Sequence, residues 1–196
     1  MGETLFDDDS GRLQVYRNWC ADAESWQQRL QHELNWRQGQ VRVYGREHAT
    51  PRLESWFGAA GVHYRYSGQT LVADGWPDTV KPLIDAVCDT TEVAFNAVLA
   101  NWYRNGDDRM GWHADNEAEL GTNPPVASLS LGARRDFRLR RNSDHRQTIN
   151  LALGEGDLLL MDGALQHHWQ HCVPKRARAE ARMSLTFRRV IFAAKL

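Results

Sequence analysis

Residues 126–141 read VASLSLGARRDFRLRR and form two short extended segments, VASLSLG and DFRLRR, with turn residues between them. Segments of the same kind recur from about residue 97 onward: AVLANWY, RMGWHAD, TINLAL, DLLLMD, HHWQHCV and ARMSLTFRRVIF. Many short strands at this spacing are typical of an antiparallel sandwich or barrel. The second half of the chain is therefore expected to form an all-β core.

The first half of the chain has a different pattern. Residues 22–37 carry apolar side chains at helical spacing behind Asp22, a suitable N-cap, and residues 78–90 predict a second amphipathic helix. Between them, residues 45–61 are rich in turn residues and residues 62–68 alternate as a strand does. The pattern predicts an α+β fold in which helices come first and the β core follows.

Length and composition favour one globular domain. The chain has 196 residues, of which 42% are hydrophobic, enough for a single core. We expect one domain spanning 1–196, with an N-terminal extension at 1–75 acting as a cover and a catalytic core at 95–192. No apolar run of about 18 residues predicts a membrane span, and the sequence MGETLFDDDS does not resemble a secretory signal.

Cysteine usage indicates a reducing compartment. The three cysteines are odd in number and far apart, and no C-x-x-C occurs. A disulfide framework or a structural zinc knuckle is therefore not expected, and a cytoplasmic location is.

The charge distribution is uneven although the net charge is only −1. Only three of the 24 basic residues are lysines, and eleven arginines lie between Arg134 and Arg189. The arginine fork suits phosphate better than the point charge of lysine does. The alternative is a composition bias of the genome with arginines on solvated surfaces, and composition alone leaves both open.

A His-x-Asp pair suggests a metal site. In RMGWHADNE, residues 109–117, a strand would turn His113 and Asp115 to the same face. A third ligand is available in HHWQHC, which offers His167, His168 and His171. Two histidines with one carboxylate form the facial triad of non-haem iron(II) oxygenases. The pair also arises by chance, and a zinc hydrolase uses the same residue types.

The last strand supports iron over zinc. Strand alternation places one set of polar residues on a single face: Arg182, Ser184, Thr186 and Arg188. Two arginines facing a β core are costly without an anionic partner. A small dicarboxylate such as 2-oxoglutarate would provide one through bidentate hydrogen bonds, with Asn101 and Tyr103 as further donors. A solvent-facing edge strand is the alternative.

Four segments stand in the order of a known family: NWYRNGDDRMGWHADNEAELG at 101–121, PPVASLSLGARRDFRLRR at 124–141, LALGEGDLLLMDGALQHHWQHCVPK at 151–175 and RMSLTFRRV at 182–190. Together they resemble the AlkB family of iron(II)/2-oxoglutarate-dependent dioxygenases, which repair alkylated nucleic acids. A weaker match, PRLESWFGAAGVHYRYSG at 51–68, looks like the nucleotide-facing lid of the vertebrate homologues that act on genomic DNA.

The resemblance implies a fold and a metal site. The fold is a double-stranded β-helix, or jelly-roll, core with N-terminal helices and a nucleotide-recognition lid. The iron ligands would be His113, Asp115 and His171, the last chosen because an aromatic residue precedes it and a proline follows it, here Trp169 and Pro174. The chemistry would be centred on iron, with no separate acid or base.

The same resemblance implies the co-substrate pocket. It assigns five residues to 2-oxoglutarate: Asn101, Tyr103, Arg182, Thr186 and Arg188. Arg182 would pair with the distal carboxylate. Ser184 departs from the asparagine usual at that position, so no role is assigned to it.

The implied reaction is oxidative demethylation of bases of the 1-methyladenine or 3-methylcytosine type in DNA, with RNA as a further candidate. It would use Fe(II), 2-oxoglutarate and O2 and release formaldehyde, succinate and CO2. Two alternatives stay open: a dioxygenase of the same fold that hydroxylates a protein or small molecule, and a non-catalytic nucleic-acid-binding module.

Access to a methylated base requires that it leave the duplex. The residues expected to contact the nucleic acid are Tyr44, Gly45, Arg46, Tyr64, Arg65, Tyr66, Asn116 and Glu117. Tyr44 would act as a stacking wedge, and the arginine-rich stretch 134–146 would contact phosphate. Trp56 and Phe57 are expected in the core. We expect a monomer without a membrane partner, cytoplasmic and nucleoid-associated if the source is a bacterium.

Overall fold

The structure is a computed structural model that describes residues 2–43, 46–66 and 69–191; for residues 42, 43, 46, 47, 65, 66, 69 and 71 only the backbone is described. Its strands are β1 Glu3–Asp8, β2 Gly11–Tyr16, β3 Arg37–Val43, β4 Arg46–Gly58, β5 His63–Tyr66, β6 Gln69–Val72, β7 Ala97–Tyr103, β8 Met110–His113, β9 Val126–Gly132, β10 Arg135–Arg141, β11 Thr148–Leu153, β12 Leu158–Asp162, β13 Trp169–Val173 and β14 Arg182–Arg188. The helices are α1 Ala23–Glu33, α2 Lys81–Thr91 and the short α3 Leu165–His168, and a 3-10 turn spans Ala118–Leu120.

Two antiparallel sheets form the core of the fold. The larger has eight strands in the order β1-β2-β12-β9-β14-β7-β4-β3, and the smaller has four in the order β11-β10-β13-β8. The apolar residues of one buried cluster come from both sheets, among them Val126 and Leu159 from the larger and Phe137 and Leu139 from the smaller. The two sheets therefore enclose a common interior, and the predicted jelly-roll core is confirmed.

Helices α1 and α2 cover the other face of the larger sheet. Leu30 of α1 and Val87 of α2 are buried in a second apolar cluster with Val98, Leu129 and Phe187 of the sheet. The alternation predicted for the last strand is thus borne out, since Phe187 faces the helices and the polar residues on either side of it face the interior. Burial of a whole strand on both faces explains why β14 has no exposed residue.

The expectation that helices come first is wrong, because four strands lie in the first 58 residues. Strands β1 and β2 pair beside β12, and β3 and β4 pair beside β7. The turn-rich stretch at 45–61 contains β4, a strand of 13 residues. Pro51 lies within β4, where its missing N–H does no harm, and its carbonyl accepts a hydrogen bond from the Arg109 N–H at 2.9 Å. The proposed division at residue 75 stays a prediction.

Among the residues that the structure describes, no helix is long and apolar enough to cross a lipid bilayer.

Candidate metal centre and its pocket

Three predicted ligands meet between β8 and β13. His113 ends β8 and lies opposite His171 in the register of the two strands. Asp115 follows two residues beyond the end of β8, so a loop and not strand alternation turns it toward the histidines. One ligand atom from each of the three side chains lies within 4.8 Å of the others. His167 and His168, the two alternatives, are exposed on α3.

Neighbouring groups orient each of these side chains. His113 Nδ1 is 2.9 Å from the Gly111 carbonyl oxygen, which leaves Nε2 for the centre. The Asp115 N–H donates to Gln166 Oε1 at 2.9 Å. The His171 imidazole stacks on Phe137, with ring centroids 5.2 Å apart. The two hydrogen bonds and the ring contact hold the three residues in an orientation suited to metal binding.

The charges at the centre match those of metal ligands. Asp115 is 1% exposed, and its Oδ1 accepts a hydrogen bond from Arg188 Nη2 at 2.8 Å. Burial alone would raise the pKa of Asp115, but Arg188, His171 and His113 together hold it below its ordinary value. Burial, followed by the electrostatic effect of the neighbouring His113, lowers the pKa of His171 to about 3. At neutral pH the centre thus has a carboxylate and a neutral buried imidazole, as metal binding requires.

An unpaired buried carboxylate oxygen at the centre supports a metal site. Within the described part of the chain, Asp115 Oδ2 has no hydrogen-bond partner. Asp115 Oδ2 lies 3.8 Å from His171 Nε2, so both atoms face one point. An unpaired buried carboxylate oxygen is costly, and a cation at that point removes the cost. The set of two imidazoles and one carboxylate fits iron(II).

A polar cavity adjoins the centre. Residues of the larger sheet line it together with the three ligands, including Asn101, Tyr103, Ser128, Ser184, Thr186 and Arg188. Ser184 Oγ lies 3.2 Å from Ser128 Oγ, so each of these two buried serines has a hydroxyl partner. The predicted co-substrate residues are therefore neighbours, with Arg182 placed behind them.

The two arginines of β14 are buried cations with unused donors. Arg188 is 3% exposed, and burial disfavours its charge, but Asp115 and Tyr64 raise its pKa above the ordinary value. Arg182 is fully buried, which lowers its pKa, and its Nη2 donates to Ser130 Oγ at 2.7 Å. Its guanidinium carbon lies 5.4 Å from the centre of the Tyr103 ring, which lines the cavity. For each arginine, Nε and Nη1 lack an acceptor among the described residues.

The structure describes the side chains of only some of the residues predicted to contact the base. Tyr64 is fully buried and stacks on Trp56 at 5.1 Å, while Arg188 lies 5.7 Å over its ring. Glu117 is half-buried, and burial followed by the charge of Asp115 raises its pKa; Asn116 is exposed. Tyr44 and Gly45 lie outside the described residues, as do the side chains of Arg46, Arg65 and Tyr66.

The core prediction for Trp56 and Phe57 holds in part. Phe57 is buried in the cluster beneath the helices, whereas Trp56 is half-buried against Tyr64.

Burial of the Tyr64 ring raises the pKa of its hydroxyl far above the ordinary value, so Tyr64 is a neutral donor.

The arginine-rich stretch 134–146 has mixed roles. Arg135 is buried and donates to three carbonyl oxygens, those of Asn105, Asp108 and Pro174, which is a structural role. Arg140 lies 4.4 Å over the half-exposed Trp112 ring and bonds to Gln170. Arg135 is thus excluded from the predicted phosphate contacts, and contact by the more exposed arginines and by Arg140 stays a prediction.

Several contributing residues were not predicted. Gln166, Phe137 and Ser130 support the ligands and Arg182, and each lies in a segment that reads as an ordinary strand or helix. Arg52 of β4 contacts the cavity residue Asn101 from the stretch predicted to be turns. Only the burial of a charged residue marks Arg52, and burial is not visible in the sequence.

Comparison with known proteins agrees with this geometry. A family model described as the 2OG-Fe(II) oxygenase superfamily matches residues 12–188. The chain is 37% identical over 183 residues to DNA oxidative demethylase ALKBH2 of Mus musculus, covering 87% of this chain and 76% of that protein. It is 36% identical to the Homo sapiens ALKBH2 over 186 residues, covering 89% of this chain and 71% of that protein.

Two further likenesses are more distant or partial. The Homo sapiens alpha-ketoglutarate-dependent dioxygenase alkB homolog 3 is 39% identical over 150 residues, which cover 71% of this chain and 52% of that protein. The solved structure of OsALKBH1 superposes with a TM-score of 0.67 at 15% identity, covering 95% of this chain and 100% of that one. At that identity the superposition establishes the fold alone.

Proposed function

The chain belongs to the 2OG-Fe(II) oxygenase superfamily, and from this premise we propose that it is a DNA oxidative demethylase. Its substrates are bases methylated on a ring nitrogen, of the 1-methyladenine or 3-methylcytosine type, in DNA and as a further candidate in RNA. The products are the unmodified base, formaldehyde, succinate and CO2.

One observation supports the proposal most strongly. A three-residue centre with an unpartnered carboxylate oxygen adjoins a cavity lined by Arg188 and backed by Arg182, both buried and both with unused donors in the described structure. Arg188 is paired with Asp115, whereas Arg182 is a fully buried cation without a carboxylate partner among the described residues. A dicarboxylate that reaches from the metal to Arg182 would supply that partner.

Each group has a definite task in this proposal. Bound iron(II) would supply the activation of O2 coupled to decarboxylation of 2-oxoglutarate. His113, Asp115 and His171 would hold it. Arg188 fixes the Asp115 carboxylate through the 2.8 Å hydrogen bond and so keeps one oxygen free for the metal. Arg182 and Tyr103 supply donors to a carboxylate of 2-oxoglutarate.

The proposed contacts to the nucleic-acid substrate depend on charged side chains. The half-buried Glu117 places a carboxyl group beside the centre, which in its ionised form favours a base carrying a positive charge from methylation. The exposed and half-exposed arginines at 138–146 provide sequence-independent contacts to phosphate. The relatives named ALKBH2 are DNA oxidative demethylases, which supports DNA over a protein substrate.

We also propose a monomer in a reducing cytoplasm, nucleoid-associated in a bacterium. All three cysteines are free in the structure, and two of them, Cys20 and Cys172, are buried. Light scattering of the purified protein tests the oligomeric state directly.

The decisive experiment uses anaerobically iron-loaded protein with 2-oxoglutarate, O2 and an oligonucleotide that carries 1-methyladenine or 3-methylcytosine. We expect loss of one methyl mass from the DNA with stoichiometric succinate. Succinate without loss of the methyl group would favour a protein or small-molecule substrate. Tight DNA binding without any turnover would favour a non-catalytic binding module.

A further inference from the structure

Arg52 is a buried arginine outside the predicted site. It lies on β4, is 4% exposed, and forms an ion pair with Glu54 of the same strand. Its Nε donates to Asn101 Oδ1 at 2.9 Å, and its Nη1 lies 3.4 Å from the Arg109 carbonyl oxygen. A buried guanidinium normally serves a carboxylate or carbonyl group, and here one of its acceptors is the side chain of a cavity residue.

This contact fixes the orientation of the Asn101 amide. A guanidinium N–H can only donate, so the amide atom that faces Arg52 must be the oxygen and not the NH2 group. The reverse orientation would place two sets of N–H groups against each other in a buried site. Asn101 also lines the cavity beside the metal centre. With Oδ1 held by Arg52, the Nδ2 group is available on the cavity side as a donor.

We propose that Arg52 is a positioning residue for co-substrate binding: it holds the Asn101 amide so that Nδ2 donates to a carboxylate oxygen of 2-oxoglutarate. The identity of the ligand rests on the proposed function. A free asparagine amide presents oxygen or nitrogen, and a carboxylate accepts from one and is repelled by the other. By removing the wrong orientation in advance, Arg52 lowers the cost of binding.

The sheet register supports this role. Glu54 lies opposite Asn101 in the pairing of β4 with β7, and Ser184 lies opposite Asn101 on the other side. Arg52, two residues before Glu54, reaches Asn101 diagonally across the same face. The interaction thus lies on the interior face of the sheet that carries Arg182 and Arg188. Strand β4 begins at Arg46, next to the segment predicted to contact the nucleic acid.

A purely structural role is the alternative. Through Arg109 and Asn101, Arg52 also ties β4 to β7 and to the loop before β8. If Arg52 only ties strands together, its loss would lower stability and weaken the binding of every ligand alike. If Arg52 positions Asn101, its loss would weaken the binding of 2-oxoglutarate alone, and only while Asn101 is present.

A double-mutant cycle separates the two roles. The variants are Arg52→Met, Asn101→Ala and the double variant, loaded with Mn²⁺ so that no oxidation occurs. Calorimetry gives the dissociation constant of 2-oxoglutarate, the affinity for Mn²⁺ serves as the control, and thermal unfolding reports stability. We expect Arg52→Met to weaken 2-oxoglutarate binding about 10-fold alone but less than about 2-fold in the Asn101→Ala background, with Mn²⁺ affinity unchanged.

A second variant guards against misfolding. Arg52→Met leaves the Glu54 carboxylate without its cation, whereas Arg52→Lys keeps the charge and a donor-only group. Arg52→Lys should retain most of the affinity for 2-oxoglutarate, and any loss it does cause should disappear in the Asn101→Ala background. Equal losses in both backgrounds, or no loss in either, would overturn the positioning role. Wild-type protein that binds Mn²⁺ but not 2-oxoglutarate would overturn the proposed function itself, and the inference with it.

Discussion

The ring of Phe137 lies nearly parallel to the imidazole of His171, with 5.2 Å between ring centroids and 20° between planes. His171 is 4% exposed, and its Nδ1 has no hydrogen-bond partner among the described residues. Metal-binding histidines usually donate the other ring N–H to a carboxylate, carbonyl or water. Here packing against an aromatic ring takes over the orienting role.

We predict that Phe137→Leu weakens iron binding by about 10-fold, the lower end of the effect seen when a supporting partner is lost. The imidazole then has no flat surface to lie on and samples several orientations. Competition with a chelator of known affinity measures the change. Phe95→Leu, a buried phenylalanine beneath the helices, is the matched control. If both variants lose iron equally, general destabilisation explains the loss.

His113→Ala is expected to abolish turnover and to lower iron affinity sharply, because it removes one of three ligands that lie within 4.8 Å. His168→Ala, an exposed histidine close in sequence to His171, should keep both properties. Demethylation of a methylated oligonucleotide and metal content after dialysis are the measurements. Substantial activity in His113→Ala would remove the metal assignment altogether.

Arg182→Met should raise the dissociation constant of 2-oxoglutarate at least about 10-fold, since a bidentate charge-assisted contact is lost. Binding of Mn²⁺ should be unaffected. Arg178→Met is the control, because Arg178 is exposed. Calorimetry on the Mn²⁺-loaded variants gives the constants. An unchanged constant in Arg182→Met would place the distal carboxylate elsewhere.

The metal-free protein should lose stability as the pH falls below the ordinary histidine value. In the unfolded chain His171 takes up a proton near pH 6.5, whereas in the fold its pKa is about 3. Between these values the unfolded state binds the extra proton, so the free energy of unfolding decreases by about 1 kcal/mol for each pH unit of acidification. The raised pKa of Glu117 acts in the opposite direction nearer to its own ordinary value of 4.5.

Comparison with His171→Leu isolates this contribution. Urea unfolding of both metal-free proteins at about pH 6 and about pH 5 should show a steeper decrease for the wild type. Parallel decreases would mean that His171 is protonated in the folded protein as well, and that burial does not keep the imidazole neutral.

Much of the site could be predicted because its residues lie in short, ordered motifs. His113 and Asp115 are two residues apart, and alternation alone separates Arg182 and Arg188 from Met183 and Phe187. These patterns are local, so they can be recognised without knowing which strands pair with the last one. The segment at 126–132 was predicted with its observed bounds because its apolar residues alternate between two turns.

The rest depends on contacts between distant parts of the chain. Gln166 and Asp115 are 51 positions apart, and nothing in either segment indicates the hydrogen bond between them. Strand β4 is stabilised by pairing with β7, while its own sequence, with Pro51 and Gly58, reads as turns. In β2, Leu13 and Val15 alternate with polar residues. This alternation is short and directly follows an acidic turn, so the sequence does not indicate a strand there.

The pairing of β2 with β12 has a consequence for how the protein is made. Leu13 lies opposite Met161, so β2 cannot find its partner until residues 158–162 have left the ribosome. A β1–β2 hairpin that forms early therefore has an open edge until then, in a chain whose contacts are mainly non-local and whose folding is expected to be slow. The negative charges at its turn, on Asp7, Asp8 and Asp9, disfavour edge-to-edge pairing of this hairpin with other chains.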